Sequence, residues 1–162
     1  MTDQAYNDCV DNFADGVYRF IVKNIQHQED AQDIVQSAFE KLWVNRAQVL
    51  HEKAKSYLFT VAYHQMIDHI RKSNKMVLVD ETAIPQQSIQ QKDAELKQIL
   101  MRAVNELNPT QKSLVLLKDY EGYTYQEIGE IMNLSESQVK VYLHRARLIL
   151  KNKLSAFAPT AS

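Results

Sequence analysis

From about residue 4 to residue 75 the apolar side chains return every third or fourth position, and no useful stretch alternates apolar and polar residues as a strand would. In EDAQDIVQSAFEKLWVN, residues Ile34, Val35, Ala38, Phe39, Leu42 and Trp43 form one broad stripe. In KSYLFTVAYHQMIDHIRK, residues Leu58, Val61, Ala62, Met66 and Ile70 form another. An apolar helix face has to be covered, so this half is predicted to be three helices, near 4–27, 30–46 and 54–74, packed on one another. The rhythm lapses in MVLVDETAIPQQSIQQKD, residues 76–93, where Pro85 and a glutamine-rich run have the composition of a flexible linker. It resumes at Leu96, Ile99, Leu100, Ala103, Val104 and Leu107, after which Asn108 and Pro109 supply a cap residue and a proline at the first helical position. The pattern predicts an all-α protein with two small helical domains, 1–75 and 94–162, joined by the linker at 76–93.

The densest local signal is TYQEIGEIMNLSESQVKVYLHRARLILKNKL, from Thr124 to Leu154. Thr124 with Glu127, and Ser135 with Gln138, read as two capping boxes eleven residues apart, so two helices start in quick succession. The first is short, about 125–132, and Asn133 tolerates the left-handed conformation that the turn needs. Gly129 stands where two helices crossing closely require a small side chain, and Ile128, Met132, Leu134, Val139 and Leu143 fill the space between them. That is the spacing of a DNA-binding helix-turn-helix. On the second helix Val139, Leu143, Ala146 and Leu150 fall on the buried side, leaving Ser137, Lys140, Val141, His144 and Arg145 outward. Lys and Arg can bond guanine edges or phosphates, and Val141 can meet a thymine methyl. Arg147, Lys151 and Lys153 lie further along, where cations hold backbone phosphates.

Charge sharpens this picture. The net charge of −1 over 162 residues conceals two basic islands, +3 over 51–75 and +4 over 135–162, against −4 over 1–50. Local cationic patches in an acidic chain suit two separate phosphate contacts, not a general coating of nucleic acid. No apolar run approaches the roughly 18 residues of a bilayer span, and the start lacks the basic-then-apolar order of a secretory signal, so the expected place is the cytoplasm, without membrane insertion. A lone Cys9 cannot close an internal disulfide and is read as structural.

Two rival classes are open at this point. His64, Asp68 and His69 form the one catalytic-looking cluster, but His69 points about 100° from Asp68 on a helix and no further ligands complete a metal site. Neither a metal nor another cofactor is expected, and the reading is not an enzyme. A stand-alone regulator would use residues 94–155 equally well, without accounting for an acidic helix followed by an aromatic and basic one in the first half.

Taken together, EDAQDIVQSAFEKLW, SYLFTVAYHQMIDHIRK and LNPTQKSLVLLKDYEGYTYQEIGEIMNLSESQVKVYLHRAR, in this order, resemble the extracytoplasmic-function sigma factors, over roughly residues 5–155. The resemblance implies a chain that directs core RNA polymerase to promoters and helps to melt them. Its second helix would dock on the clamp helices of the polymerase's largest subunit, with Asp33, Gln36, Glu40, Leu42 and Trp43 mixing acid, amide and apolar groups, one of the last two being core.

The resemblance further implies that the segment from Val44 to Ser56 captures an unstacked base of the minus-ten element, which needs planar groups for stacking and cations for phosphates. Asn45, Arg46, His51, Lys53, Lys55 and Tyr57 offer them, with Arg71 and Lys72 on duplex phosphates upstream. Tyr63 and His64 fall in the same region, where many relatives have Arg and Asn. Residues 136–147, with Ser137, Gln138, Lys140, Val141, His144, Arg145 and Arg147, would read the minus-thirty-five element. Val141 and Tyr142 stand where relatives more often carry polar or basic residues, and Tyr142 is expected to pack inward. Core polymerase, promoter DNA and an anti-sigma protein are the partners implied.

Overall fold

The computed structural model describes residues 1–76 and 92–157, and the regular structure among them is helical throughout. Helix α1 (Asp3–Ile25) starts at Thr2, whose hydroxyl accepts from the Ala5 N–H at 3.0 Å. It stops where Gln26 enters the left-handed region at φ 57° and returns its amide to the Val22 carbonyl. Helix α2 (Gln28–Val44) begins at once from His27, whose Nδ1 accepts from the Asp30 N–H at 3.2 Å. A loop and one tight turn (His51–Lys53) lead into α3 (Ala54–Met76). The three predicted helices are all present, with ends within two residues of expectation.

These helices share one core. Val17, Phe20 and Ile21 of α1, Ala31, Ile34, Ala38 and Leu42 of α2, and Leu58, Phe59, Ala62 and Met66 of α3 are buried. Cys9 lies inside it as well, and burial pushes its thiol pKa up, which suits a packing role and not a reactive one.

The second half holds α4 (Lys92–Asn105), α5 (Pro109–Val115), α6 (Tyr125–Met132) and α7 (Glu136–Phe157). Asn108 caps α5 reciprocally with Gln111, at 2.8 and 3.3 Å, and Pro109 follows it. Beyond Val115 the helix widens, and the Glu121 amide reaches back five residues to the Leu116 carbonyl at 2.9 Å. Every residue from Lys112 to Leu117 is buried, so this helix is enclosed all round, with α4 and α7 on one side and α1 on another. Leu96, the first residue of the apolar repeat of α4, is 65% exposed; Leu100 and Met101 pack partly buried against the core, and Ala103 and Val104 are wholly buried in it.

The predicted linker, 76–93, falls almost wholly outside the described residues. The halves it joins lie side by side, α3 against α6 and α1 against α5. Phe59 stands at the centre of this seam, 5.8 Å from the Phe20 ring and edge-to-face with Tyr123 at 4.9 Å. The Lys112 ammonium donates to the Asn24 carbonyl at 2.9 Å, closing the C-terminal end of α1. An aromatic centre with a polar rim is the anatomy of a specific interface.

Candidate nucleic-acid interface

The helix-turn-helix assembles from local chemistry. Thr124 and Glu127 exchange side-chain and backbone bonds at 3.1 and 3.0 Å to start α6, and Ser135 and Gln138 do the same at 3.1 and 2.9 Å to start α7. Between them Asn133 sits in the left-handed region, φ 56° and ψ 50°. The turn brings the Leu134 carbonyl so close to Gly129 that a Cβ there would lie 2.6 Å from its oxygen. Only glycine leaves room for that crossing.

The wheel predicted for α7 is the one observed. Val139, Leu143, Ala146 and Leu150 are buried, while Ser137, Lys140, Val141, His144 and Arg145 are exposed. Gln138 is also at the surface, its carbonyl oxygen engaged in the cap. Tyr142 is half-buried, with the Arg145 guanidinium 5.9 Å from its ring. Arg147 turns away from this set and forms a bidentate pair with Asp119, at 2.6 and 3.3 Å. Two groups not anticipated from the sequence lie beside Lys140 of this face, Tyr125 and Lys118: the Lys118 ammonium is 4.4 Å from the Tyr125 ring, and Lys140 approaches the same ring at 5.4 Å. Nothing in the spacing signals this, because Lys118 comes from the widened turn before α6.

In the first half, the loop after α2 is tightly held. Asn45 donates to the Lys41 carbonyl at 3.0 Å and to the Tyr57 hydroxyl at 3.1 Å. The Arg46 guanidinium stacks 3.7 Å over Trp43, donates to the Trp43 carbonyl at 2.8 Å and faces Asp3 at 3.6 Å. His51 is exposed, its Nδ1 4.0 Å from Cys9 Sγ. Lys53 and Lys55 meet Glu130 and Glu127 of α6 at 3.9 and 3.0 Å. Burial opposes ionisation of Glu127, but the Thr124 amide and the Lys55 ammonium together hold its carboxyl below the ordinary value. Arg71, Lys72 and His64 are exposed on α3. Tyr63 is not, since it lies in the core with its hydroxyl bonded to Thr110, so it cannot stack on an incoming base in this arrangement. The suspected cluster at His64, Asp68 and His69 is parted, His69 pairing with Asp30 of α2 at 3.2 Å.

On α2, Asp33, Gln36 and Glu40 share an exposed face, with Gln36 donating to Glu40 at 3.3 Å. Leu42 is wholly buried and unavailable to a partner, which leaves Trp43, 39% exposed and braced edge-on by Tyr6 at 4.9 Å, as the apolar group on offer.

Residues 9–76 match the family model for Sigma-70 region 2, and residues 97–150 that for Sigma-70, region 4. The chain is 31% identical over 144 residues to the ECF RNA polymerase sigma factor SigM of Bacillus subtilis, covering 86% of this chain and 88% of SigM. It is 28% identical over 148 residues to the RNA polymerase sigma factor SigV of the same organism, covering 91% and 89%. In fold it is similar to the sigma factor RpoE solved in complex with the anti-sigma factor NepR from Bartonella quintana, with a TM-score of 0.75 at 21% identity over 93% of this chain and 96% of that one. With both Sigma-70 regions present in order, and a relative of this identity along most of its length, the chain belongs to the extracytoplasmic-function group of RNA polymerase sigma factors.

Proposed function

We infer that this chain binds core RNA polymerase, brings it to specific promoters and helps to open them. The observation that carries the reading is one chain joining a region 2 half to a helix-turn-helix half. A regulator working alone leaves residues 9–76 without a role. In the duplex, α7 reads the minus-thirty-five element through Ser137, Lys140, Val141, His144 and Arg145, with Gln138 setting the entry of the helix and Arg147 bracing it from behind. The segment from Val44 to Ser56, which runs from the end of α2 into the start of α3, with its Lys53 and Lys55 and the adjoining Tyr57, receives the melted minus-ten strand, and Arg71 and Lys72 hold phosphates upstream. Asp33, Gln36, Glu40 and Trp43 form the face offered to the polymerase clamp.

The chain acts in the cytoplasm, where polymerase and chromosome are, and no described helix is long and apolar enough to cross a membrane. An anti-sigma protein holds it in reserve, a role supported by the RpoE relative having been solved with NepR. Run-off transcription on genomic fragments, with bacterial core polymerase plus this protein, tests the whole reading. New transcripts with defined starts are expected. A purified chain that neither binds core polymerase nor redirects it overturns the proposal.

A further inference from the structure

A cleft of about 370 Å³ opens where the C-terminal end of α1 meets α3 and the turn from α4 into α5. That volume is at the small end of the range, about 300–1,000 Å³, in which proteins hold small organic ligands. Its polar lining is Lys112, His69, Ser73, Asn105 and Asn24, and among the described residues no carboxylate belongs to it. Ile25, Ile70 and Leu107 supply an apolar wall.

Lys112 sets the chemistry of this cleft. Only 5% of the residue is exposed, yet no Asp or Glu among the described residues pairs with its ammonium. One N–H of the ammonium donates to the Asn24 carbonyl at 2.9 Å, and the others meet no acceptor among the described residues. The Asn24 side chain is engaged elsewhere, donating to the Phe20 carbonyl at 2.9 Å and accepting from the Ser113 hydroxyl at 3.3 Å. Burial lowers the ammonium pKa to about 8, which leaves the group mostly charged at pH 7. A buried cation without a counter-charge is costly, and an anion beside it removes that cost.

The neighbours suit such an anion. Asn105 Oδ1 is buried with no hydrogen-bond partner among the described residues, and the same amide turned over presents its N–H groups to an acceptor. Ser73 brings a hydroxyl to the same lining. His69 is held from α2 by Asp30, which meets its Nε2 at 3.2 Å and also faces His27 at 3.3 Å, so this acid is already shared between two imidazoles.

We propose that the cleft binds a small organic acid, its carboxylate against the Lys112 ammonium with Ser73 and Asn105 completing the hydrogen bonds, and its apolar body against Ile25, Ile70 and Leu107. An inorganic anion satisfies the ammonium but leaves the apolar wall wet, and a neutral apolar molecule leaves the charge bare. The inference goes beyond the sigma reading and does not depend on it, since none of the residues assigned above to promoter or polymerase lines the cleft. The lining is drawn from α1, α3, α4 and α5, so an occupant also stabilises the folded chain.

Benzoate is the probe, with benzamide as its uncharged counterpart and inorganic phosphate as an anion lacking an apolar body. Binding to the full-length chain is measured by isothermal titration calorimetry at pH 7 and constant ionic strength, with thermal melting followed alongside. Benzoate is expected to bind and to raise the melting temperature, more than either comparison compound at equal concentration. K112M removes the charge at similar volume and is expected to weaken benzoate binding about tenfold or more while still melting cooperatively, which separates lost binding from lost folding. S73A is expected to weaken it by less, and K97M, on an exposed lysine of α4 outside the cleft, is expected to match the parent. No detectable benzoate binding, equal affinity for benzamide or phosphate, or unchanged benzoate affinity in K112M each overturns the proposal.

Discussion

Asp119 grips Arg147 through two N–H···O bonds, 2.6 and 3.3 Å long, tying α7 to the widened turn that ends α5. Arg145, two residues earlier, stands on the exposed face beside Tyr142. Two arginines of one helix thus have different work. Replacing Arg145 by Ala is expected to weaken binding at the minus-thirty-five element by about 1–3 kcal/mol, seen as loss of the upstream footprint with unchanged melting of the protein. Replacing Arg147 by Ala is expected to lower stability by about 1 kcal/mol or less, since the pair is partly exposed, and to leave base preference alone. Equal footprints for parent and R145A would reject this division.

Gly129 makes a second, sharper prediction. The obstacle to a larger residue is the Leu134 backbone oxygen, which cannot rotate aside as a side chain can. G129A is expected to cost about 1–3 kcal/mol and to lower the melting temperature. Upstream DNA contact is expected to fail while affinity for core polymerase, proposed above for the α2 face, persists. Thermal unfolding followed by a polymerase pull-down checks both halves of that statement.

Lys112 couples the closed seam to pH. Its burial lowers the ammonium pKa from 10.5 to about 8. Between those values the unfolded chain binds the proton and the folded chain does not, so stability rises with pH across that window, while below about pH 8 the full cost of a buried charge is present. K112M removes the charge at similar volume, and is expected to be the more stable protein at pH 7, by up to about 3 kcal/mol. That advantage is expected to shrink steadily toward pH 10. Urea unfolding of both proteins across the range settles it, and a constant difference would falsify the assignment.

Arg46 and Tyr57 hold the loop after α2 through Trp43 and Asn45. If the loop receives the unstacked strand, alanine at both positions is expected to slow promoter opening far more than initial promoter binding. Permanganate reactivity of promoter thymines reports opening directly. Normal reactivity in the double variant would remove these residues from the site.

Much of this was legible in the residues. The two capping boxes, the left-handed Asn133 and the small Gly129 are signals carried by neighbours in sequence, so the helix-turn-helix is legible from the chain alone. The candidate site was legible only in part. Periodicity shows that a helix face is covered without showing by what, so Leu42 and Trp43 look alike until one is buried and the other stands at the surface. Tyr63, placed by the resemblance in the minus-ten region beside His64, is buried in the core while His64 is exposed.

The sequence by itself determined the helices, their caps, the two-unit organisation and the cationic face of α7, because each rests on contacts three or four residues apart. Only the tertiary structure decided how the units meet. The pairs Arg19–Glu121 and Ser56–Glu130 join residues 102 and 74 positions apart, and the burial of Lys112 depends on α1 lying across α5. A charge in a sequence carries no mark of its partner, and a lysine destined for a helix C-terminus reads the same as one destined for water. The fold supplies the neighbour, and with it the energy of the pair.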